Sequence, residues 1–300
     1  MITVIVPHLN QPEKLELCLK SLASGSLIAD EIIVVDNGSE SMPRSVCDNY
    51  PNVELMQELE PGPGPARNRG ISVAKGEILA FIDADCVADP AWLQSARMRI
   101  AQGAEILGGD VRILHRVSGQ PDIWEAYESE FAYRMEHYIR QQGFTGTGNL
   151  VVRATVMAEV GPFAGIGMAE DRDWGQRATS LGHKIDWVPE MVVYHPARED
   201  FSELARKWDR HVAHDFVLFA ARPMGRLKWA TRSLLMIASP FASIPRIMRS
   251  KRIEGGGFSK LKAFMGLIRV RLYRARRMLG VLLFADKTGG GLENRWREKP

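Results

Sequence analysis

The chain has 300 residues, enough for one large domain or for one domain with an appendage. Hydrophobic residues make up 45% and charged residues 25% of the sequence, an ordinary globular composition that excludes the disordered and fibrous classes. The net charge of +3 hides an asymmetry, since residues 201–300 carry 22 Lys and Arg against 7 Asp and Glu, while residues 1–200 carry 17 against 29. An acidic body followed by a basic tail suggests a catalytic unit joined to a segment that meets an anionic surface.

The cysteines and the termini bear on the compartment. Cys18, Cys47 and Cys86 are odd in number and lack metal-ligand spacing, so we expect reduced packing residues and a cytoplasmic location. The N-terminus reads as a strand rather than a secretory signal. The longest weakly charged stretch, 233–245, contains Pro240 and is too short to span about 30 Å of hydrocarbon.

The first 83 residues alternate short apolar strands with helical patterns, in the order βαβαβαβ. Such strands, apolar throughout, are typical of a mainly parallel sheet covered by helices on both faces, and ligands bind at the carboxyl ends of such strands. The predicted strands are 3–7, 31–36, 53–55 and 78–83, and the predicted helices are 13–24, 43–49 and 67–75.

The next segment continues the α/β pattern to the end of the acidic body near Pro196. We predict a Gly- and Thr-rich loop at 143–149 and one long amphipathic helix over 122–142. The other predicted helices are 91–102, 154–160 and 170–181, and the other strands are 106–114, 150–153, 184–188 and 191–195.

The strongest chemical signal is a pair of carboxylates, Asp83 and Asp85, that follows the apolar strand ending in Phe81-Ile82. Carboxylate oxygens are the ligands that Mg²⁺ or Mn²⁺ prefers, and such an ion can clamp a diphosphate. Taken alone, a D-x-D pattern is more often a solvated acidic turn. The neighbouring motifs must therefore decide between a metal site and a solvated acidic turn.

Several further motifs occur in a fixed order around this pair. In order and spacing they resemble the nucleotide-binding half of family 2 glycosyltransferases, which have the GT-A fold, and the resemblance covers about residues 1–196. The motifs are Val4-Ile5-Val6-Pro7 with Asn10, Glu31 to Ser39, Gly64-Pro65-Ala66-Arg67-Asn68-Arg69-Gly70, Phe81 to Asp85, Gly146-Thr147-Gly148-Asn149, Glu170-Asp171-Arg172-Asp173-Trp174 and His195.

The resemblance implies a domain organisation and a donor site. Residues 1–200 would form a GT-A catalytic domain, with a nucleotide-sugar half at 1–115 and an acceptor half at 116–200. Pro7 and Asp36 would border the nucleobase, Arg67 would lie near base or phosphate, and Thr147 and Asn149 would bind the donor sugar or phosphate. The alternatives are a strand-end cap for Asp36, an exposed helix-start arginine for Arg67 and a plain loop for the last two.

The resemblance also places the base and the metal. Asp171 would take the proton of the acceptor hydroxyl, with Glu170, Asp173 and Trp174 on the acceptor side, although a carboxylate at a helix start is also a common cap. A single base opposite the leaving group implies inversion at the anomeric carbon without a covalent intermediate. His195 would complete a Mn²⁺ or Mg²⁺ site with Asp83 and Asp85, and its alternative is an ordinary strand-end histidine.

The basic tail contains an amphipathic helix at 258–285. Its apolar positions fall within about 60° of one line, with arginines on the flanks, a pattern typical of a helix lying in a lipid headgroup layer. We therefore expect 201–300 to bind an anionic membrane on its cytoplasmic face; packing on the body or on a second copy is the alternative, and nucleic acid is disfavoured because no aromatic platform is present. The stripe is Leu261, Phe264, Met265, Ile268, Leu272, Ala275, Leu279, Leu282 and Leu283.

Three functions compete on this reading. The favoured one is an inverting, metal-dependent glycosyltransferase that moves a sugar from a nucleotide diphosphate to an acceptor hydroxyl, such as that of a lipid-linked glycan in polysaccharide or glycolipid assembly. The second is another nucleotide-sugar or nucleotidyl-transfer enzyme. The third is a noncatalytic nucleotide-sugar-binding protein that retains the fold.

Overall fold

A computed structural model describes residues 1–166, 168–220 and 223–284. The chain forms two compact units. The first comprises Met1–Leu114 and Tyr133–Pro196, and the second comprises His115–Ala132 and the chain from Ala197 onward. The sequence-based division has a single boundary near residue 200, whereas here an internal segment also belongs to the C-terminal unit. The part of the expected tail at 221–222 and 285–300 lies outside the described residues.

The first unit is built on an eight-stranded sheet with the order β3-β2-β1-β4-β7-β6-β8-β5. In chain order the elements of both units are β1 (Ile2–His8), α1 (Pro12–Ala23), β2 (Glu31–Asp36), α2 (Arg44–Cys47), β3 (Val53–Gln57), α3 (Pro63–Ile71), β4 (Ile78–Ile82), β5 (Val87–Ala88), α4 (Trp92–Ala101), β6 (Ile106–Leu114), α5 (Ile123–Phe131), α6 (Met135–Gln142), β7 (Asn149–Arg153), α7 (Ala154–Val160), α8 (Glu170–Ser180), β8 (Ile185–Pro196), α9 (Phe201–Ala220), α10 (Gly225–Ala242), α11 (Ile244–Arg249) and α12 (Gly256–Phe284).

The central strands are parallel and buried on both faces. β1 pairs in parallel with β2 and β4, and β2 with β3. Every residue of β2 is buried, because helices cover both faces of the sheet. The expected α/β class with a mainly parallel sheet is confirmed. The exceptions are β7, which runs antiparallel between β4 and β6, and the short β5, which runs antiparallel to β8.

Two differences between the predicted and the observed elements concern a long helix and the closing strands. The expected long helix over 122–142 is two helices, because Ala132 is extended and Tyr133 has a φ of +44°. The positive φ of a bulky residue ends the helical hydrogen bonding, and nothing in the amphipathic pattern signals it. The two expected closing strands are one strand, β8, whose pairing with β6 shifts register between Gly109 and Asp110.

The second unit is helical. A cluster of α5, α9, α11 and α12 residues includes Trp124, Leu204, Ile247 and Leu267, and a second cluster joins α9, α10 and α12. α5 begins with a complete capping box, in which Asp122 accepts from backbone N–H groups and Glu125 reaches back to Asp122. Among the described helices, none combines the length and the apolar character that a membrane span requires.

The long helix α12 packs through a different face from its predicted apolar stripe. Its buried line includes Ala263, Leu267, Val270 and Met278. Within the predicted stripe, Ala275 is buried, whereas four large side chains are exposed to solvent. They are Leu261, Met265, Leu272 and Leu283.

Candidate active site

Asp85 of the D-x-D pair and His195 meet beyond the carboxyl end of β4. Asp83 follows β4 directly, and Asp85 lies in the turn that leads to β5. β5 pairs antiparallel with β8, with Val87 opposite Tyr194, so the chain next to Tyr194 runs back along the D-x-D turn. As a result, Nε2 of His195 lies 3.4 Å from Oδ2 of Asp85, and both side chains are partly open, at 20% and 23% exposed.

The hydrogen bonds of His195 direct one ring nitrogen at Asp85. Its Nδ1 lies 2.6 Å from the Pro196 carbonyl oxygen, which can only accept, so Nδ1 carries the proton and donates. The lone pair of Nε2 in the neutral ring then faces the Asp85 carboxylate. Two facing lone pairs repel, unless a proton or a cation lies between them. The Tyr133 ring, 4.9 Å from the imidazole, packs against it and restricts its rotation.

The atoms around this point suit a hard divalent cation. Asp85, Cys86 and His195 each offer an atom within 4.8 Å of the others. Burial, followed by the nearby Asp83 and Asp85 carboxylates, raises the pKa of Cys86 well above its usual value, so the sulfur stays a thiol and donates to Asp85 at 3.7 Å. Carboxylate oxygen and neutral imidazole therefore remain as ligands, a set that Mn²⁺ or Mg²⁺ accepts.

Arg67 joins the D-x-D turn to the start of α8. Its Nη2 donates to Oδ1 of Asp83 at 2.7 Å and its Nη1 to Oε1 of Glu170 at 3.1 Å. Arg67 is only 3% exposed, whereas the Asp83 carboxylate is 37% exposed. Asp83, predicted as a metal ligand, thus directs one oxygen at an arginine and keeps an open side. Sequence reasoning placed Arg67 near the donor and missed this bridge.

The Gly-rich loop packs closely on Asp83. A Cβ atom at Gly148 would lie 2.6 Å from Oδ2 of Asp83, so the backbone approaches the carboxylate in a way that only glycine allows. Thr147 in the same loop is buried. The loop therefore helps to fix the orientation of Asp83.

Asp171 lies in the first turn of α8, next to Glu170. Its Oδ1 accepts from the Arg172 backbone N–H at 2.7 Å. Burial raises the pKa of Asp171; the nearby Glu170 adds to the increase, and the Arg172 N–H and Arg67 oppose it. A carboxylate with a raised pKa is a better proton acceptor than an ordinary one, as a general base requires.

Asp36 is completely buried at the end of β2. Its Oδ1 pairs with Nδ1 of His8 at 3.0 Å, and its Oδ2 accepts from the Ser39 N–H at 3.1 Å. Burial by itself would raise the pKa of Asp36, but the hydrogen bonds from Ser39 and His8 outweigh it and lower the pKa. The predicted neighbour Pro7 lies one residue before His8 and is partly exposed. The sequence did not reveal His8 as the partner of Asp36.

Three other predicted site residues have structural contacts. Asn149 is fully buried, accepts from Trp92 Nε1 at 2.8 Å and donates to the carbonyls of Asp110 and Met191. Asp173 pairs with Arg177 at 2.9 Å. Trp174 is buried in the core, and its Nε1 donates to Gly161. Each of these side chains thus ties elements of the unit together.

The sequence profile described as glycosyl transferase family 2 matches residues 3–166 of the chain. The glycosyltransferase AglE of Haloferax volcanii is 33% identical over 215 residues, which cover 69% of this chain and 70% of AglE. The amylovoran biosynthesis glycosyltransferase AmsE of Erwinia amylovora is 27% identical and covers 70% of this chain and 81% of AmsE.

Solved structures share the fold at lower identity. The mannosyltransferase PcManGT of Pyrobaculum calidifontis aligns with a TM-score of 0.56 at 17% identity, covering 95% of this chain and 87% of that one. TarS of S. aureus aligns with a TM-score of 0.52 at 19% identity, covering 90% of both chains. The sheet, the D-x-D turn at its edge and the match over residues 3–166 lead to one conclusion: this chain is a member of glycosyl transferase family 2, with the GT-A fold.

Proposed function

We propose that this glycosyltransferase depends on a divalent metal and transfers a sugar from a nucleotide diphosphate to an acceptor hydroxyl with inversion. The observation that carries the proposal is the pairing of Asp85 with His195 beside the D-x-D turn, which Arg67 joins through Asp83 and Glu170 to the α8 turn that holds Asp171. Related folds support it, since PcManGT was solved with GDP-Man and Mn²⁺, and TarS with UDP-GlcNAc.

Asp85 and His195 would hold Mn²⁺ or Mg²⁺. When bound, such an ion supplies positive charge to the departing diphosphate. The open side of the Asp83 carboxylate would face the donor, and Arg67 would fix its orientation from the opposite side. Pro7, Asp36 and Thr147 would lie on the nucleotide side. For Asp36 we infer an indirect role, because its carboxylate is used by His8 and Ser39.

Asp171 would accept the proton of the acceptor hydroxyl. The acceptor oxygen then forms a bond to the anomeric carbon while the bond from that carbon to the diphosphate oxygen breaks. Attack from the side opposite the leaving group inverts the configuration. Glu170 would contribute by raising the pKa of the neighbouring Asp171 and by holding the Arg67 side chain in place.

The second unit would attach the enzyme to an anionic membrane, where a lipid-linked glycan could serve as acceptor. Support comes from an exposed apolar surface, which we define as Leu261, Met265 and Leu272 of α12 with Leu234 and Phe241 of α10. The Phe241 ring contacts that of Phe264, which links the two helices at one end. Long cationic side chains next to exposed apolar ones suit a headgroup layer.

The decisive experiment compares wild type with Asp171→Asn. A screen of nucleotide sugars by metal-dependent thermal stabilisation first identifies a donor, because a ligand of the folded state raises the unfolding temperature. We then expect Asp171→Asn to bind that donor with unchanged affinity and to lose transfer by about 10²–10⁴-fold. Full transfer by the variant would reject Asp171 as the base, and a wild type that binds the donor without transferring sugar would support the noncatalytic alternative. The anomeric configuration of the product, read by NMR, tests inversion.

A further inference from the structure

Most buried acids of the second unit are paired with arginines. Glu128 pairs with Arg198, and Glu130 with Arg246. Asp209 accepts from Arg277 at 2.7 Å and from the Tyr273 hydroxyl at 2.9 Å. These contacts engage the carboxylates of Glu128, Glu130 and Asp209 with arginines other than Arg271 and Arg274.

Arg271 and Arg274 lie one turn apart on α12 and have no carboxylate partner among the described residues. Arg271 donates through Nη1 to the Met236 sulfur at 3.1 Å, and a thioether is a weak acceptor. The Arg274 guanidinium lies 3.7 Å from the centre of the Trp208 ring, which holds it in place by a cation–π contact.

Three N–H donors around these side chains are buried without an acceptor in the part of the chain that the structure describes. They are Nε of Arg271, Nε of Arg274 and Nε1 of Trp208. Buried donors are normally satisfied, because an unmade hydrogen bond leaves the cost of desolvation uncompensated. Unpaired N–H donors on two neighbouring arginines and on the tryptophan that one of them contacts are features of an anion site.

The surrounding groups do not neutralise this charge. Burial and then the neighbouring Arg271 lower the pKa of Arg274 to about 10. Tyr127, next to both arginines, is buried, which raises its pKa to about 12, so it stays a neutral phenol. Asp215 is an acid that influences Arg274, and its carboxylate lies 3.7 Å from Arg232 in a half-exposed contact. The net charge around Arg271 and Arg274 therefore remains positive.

We propose that Arg271, Arg274 and Trp208 form a binding site for a phosphate or diphosphate group. Tetrahedral phosphate oxygens can accept from the two guanidinium groups and the indole at once, and guanidinium groups bind phosphate strongly. The same chemistry is offered by free pyrophosphate and by a lipid phosphate headgroup. Leu272, the residue after Arg271, is apolar and exposed, so a lipid phosphate headgroup is included in the test. The proposed phosphate site does not depend on the sugar-transfer proposal.

The test is calorimetric titration of the full chain with inorganic pyrophosphate in EDTA, which removes divalent ions and so weakens binding at the metal-dependent donor site. We expect Arg271→Gln combined with Arg274→Gln to weaken pyrophosphate binding by about tenfold or more. The matched control is Arg249→Gln with Arg276→Gln, which removes the same charge from two exposed arginines and should change affinity less than about twofold. Arg274→Lys keeps the charge without the planar fork and should also bind more weakly.

A second arm uses phosphatidylcholine vesicles with and without phosphatidic acid. Retention on phosphatidic acid vesicles that the site variant loses and the control keeps would identify a lipid phosphate as the source, whereas pyrophosphate binding alone would identify a free phosphate. Folding is checked by the unfolding midpoint without anions, and Arg274→Lys, which keeps a cation beside the Trp208 ring, tests the site where the double variant is less stable. The proposal is overturned if wild type binds neither probe, or if the control variant loses as much affinity as the site variant.

Discussion

Nε2 of His195 lies 3.4 Å from Oδ2 of Asp85, although the two residues are 110 positions apart in the sequence. The antiparallel pairing of β5 with β8 brings them together, and the Pro196 carbonyl fixes the proton on the other ring nitrogen. With Nδ1 donating to the Pro196 carbonyl, Nε2 is the ring nitrogen that could bind a cation next to Asp85. This arrangement gives the metal hypothesis a specific test.

Removal of either group should weaken metal-dependent donor binding. We expect Asp85→Ala and His195→Ala each to reduce the Mn²⁺-dependent affinity for a nucleoside diphosphate by about tenfold or more, because each would remove one of the protein ligands. Calorimetric titration with and without Mn²⁺ measures the difference. His183→Ala is the control, since His183 pairs with Glu105 and Glu159 away from the D-x-D turn. An equal effect of all three variants would contradict the assignment.

The pH dependence of transfer should report Asp171. A base works only when it is deprotonated, so kcat/KM should fall as the pH drops through the pKa of Asp171, which burial raises above its usual value of about 3.9. Arg67 lowers that pKa, so Arg67→Met should move the acid limb to higher pH. The exposed Arg69, replaced by Met on the same helix, serves as control. A limb that moves to lower pH in Arg67→Met would count against the assignment.

The order of helices and strands along the first half of the chain could be predicted because the apolar runs and turn residues are local signals. The D-x-D turn and α8 could be placed for the same reason, and the family resemblance supplied their roles. Two features of the site could not be read from the sequence. The His8–Asp36 pair and the Arg67 bridge depend on which strand ends are adjacent, and sheet order is set by tertiary packing.

In the C-terminal helix α12, hydrophobic periodicity did not predict which face is buried. The stripe from Leu261 to Leu283 was identified from side-chain hydrophobicity, yet α12 packs through a line that includes the small Ala263 and Gly266. Close helix packing favours small residues at the contact, and a hydrophobicity pattern gives such residues little weight. The large apolar side chains are therefore left exposed, as a surface whose partner must be found by experiment.

Asn149 should prove to be a stability residue. Its buried amide joins Trp92 to the carbonyls of Asp110 and Met191, so Asn149→Ala would leave several buried polar groups unpaired. We expect a loss of about 2–4 kcal/mol in the free energy of unfolding, measured by urea denaturation. Asn49→Ala, at an exposed site with one hydrogen bond, should cost less than about 1 kcal/mol. Weaker donor binding at unchanged stability would instead favour the donor contact that the motif implies.

Replacement of the exposed apolar surface should release the enzyme from anionic vesicles. We expect Leu261→Ser, Met265→Ser and Leu272→Ser together to reduce flotation with phosphatidylglycerol vesicles strongly, because burial of each large apolar side chain contributes up to about 1.5–3 kcal/mol. Leu17→Ser, Met98→Ser and Leu181→Ser change three similarly exposed side chains of the first unit and form the control. Added salt should weaken the binding that remains, because arginine contacts with headgroups are screened.

The same variant separates the membrane from a second copy of the chain as the partner of this surface. If the surface covers another copy, wild type should elute as a dimer in size-exclusion chromatography and the triple variant as a monomer, because an interface loses its apolar core. Flotation would then be the same for both proteins. If the surface meets lipid, elution stays unchanged and flotation falls. Unchanged elution together with unchanged flotation would refute both roles and move the anionic contact to other residues of 201–300.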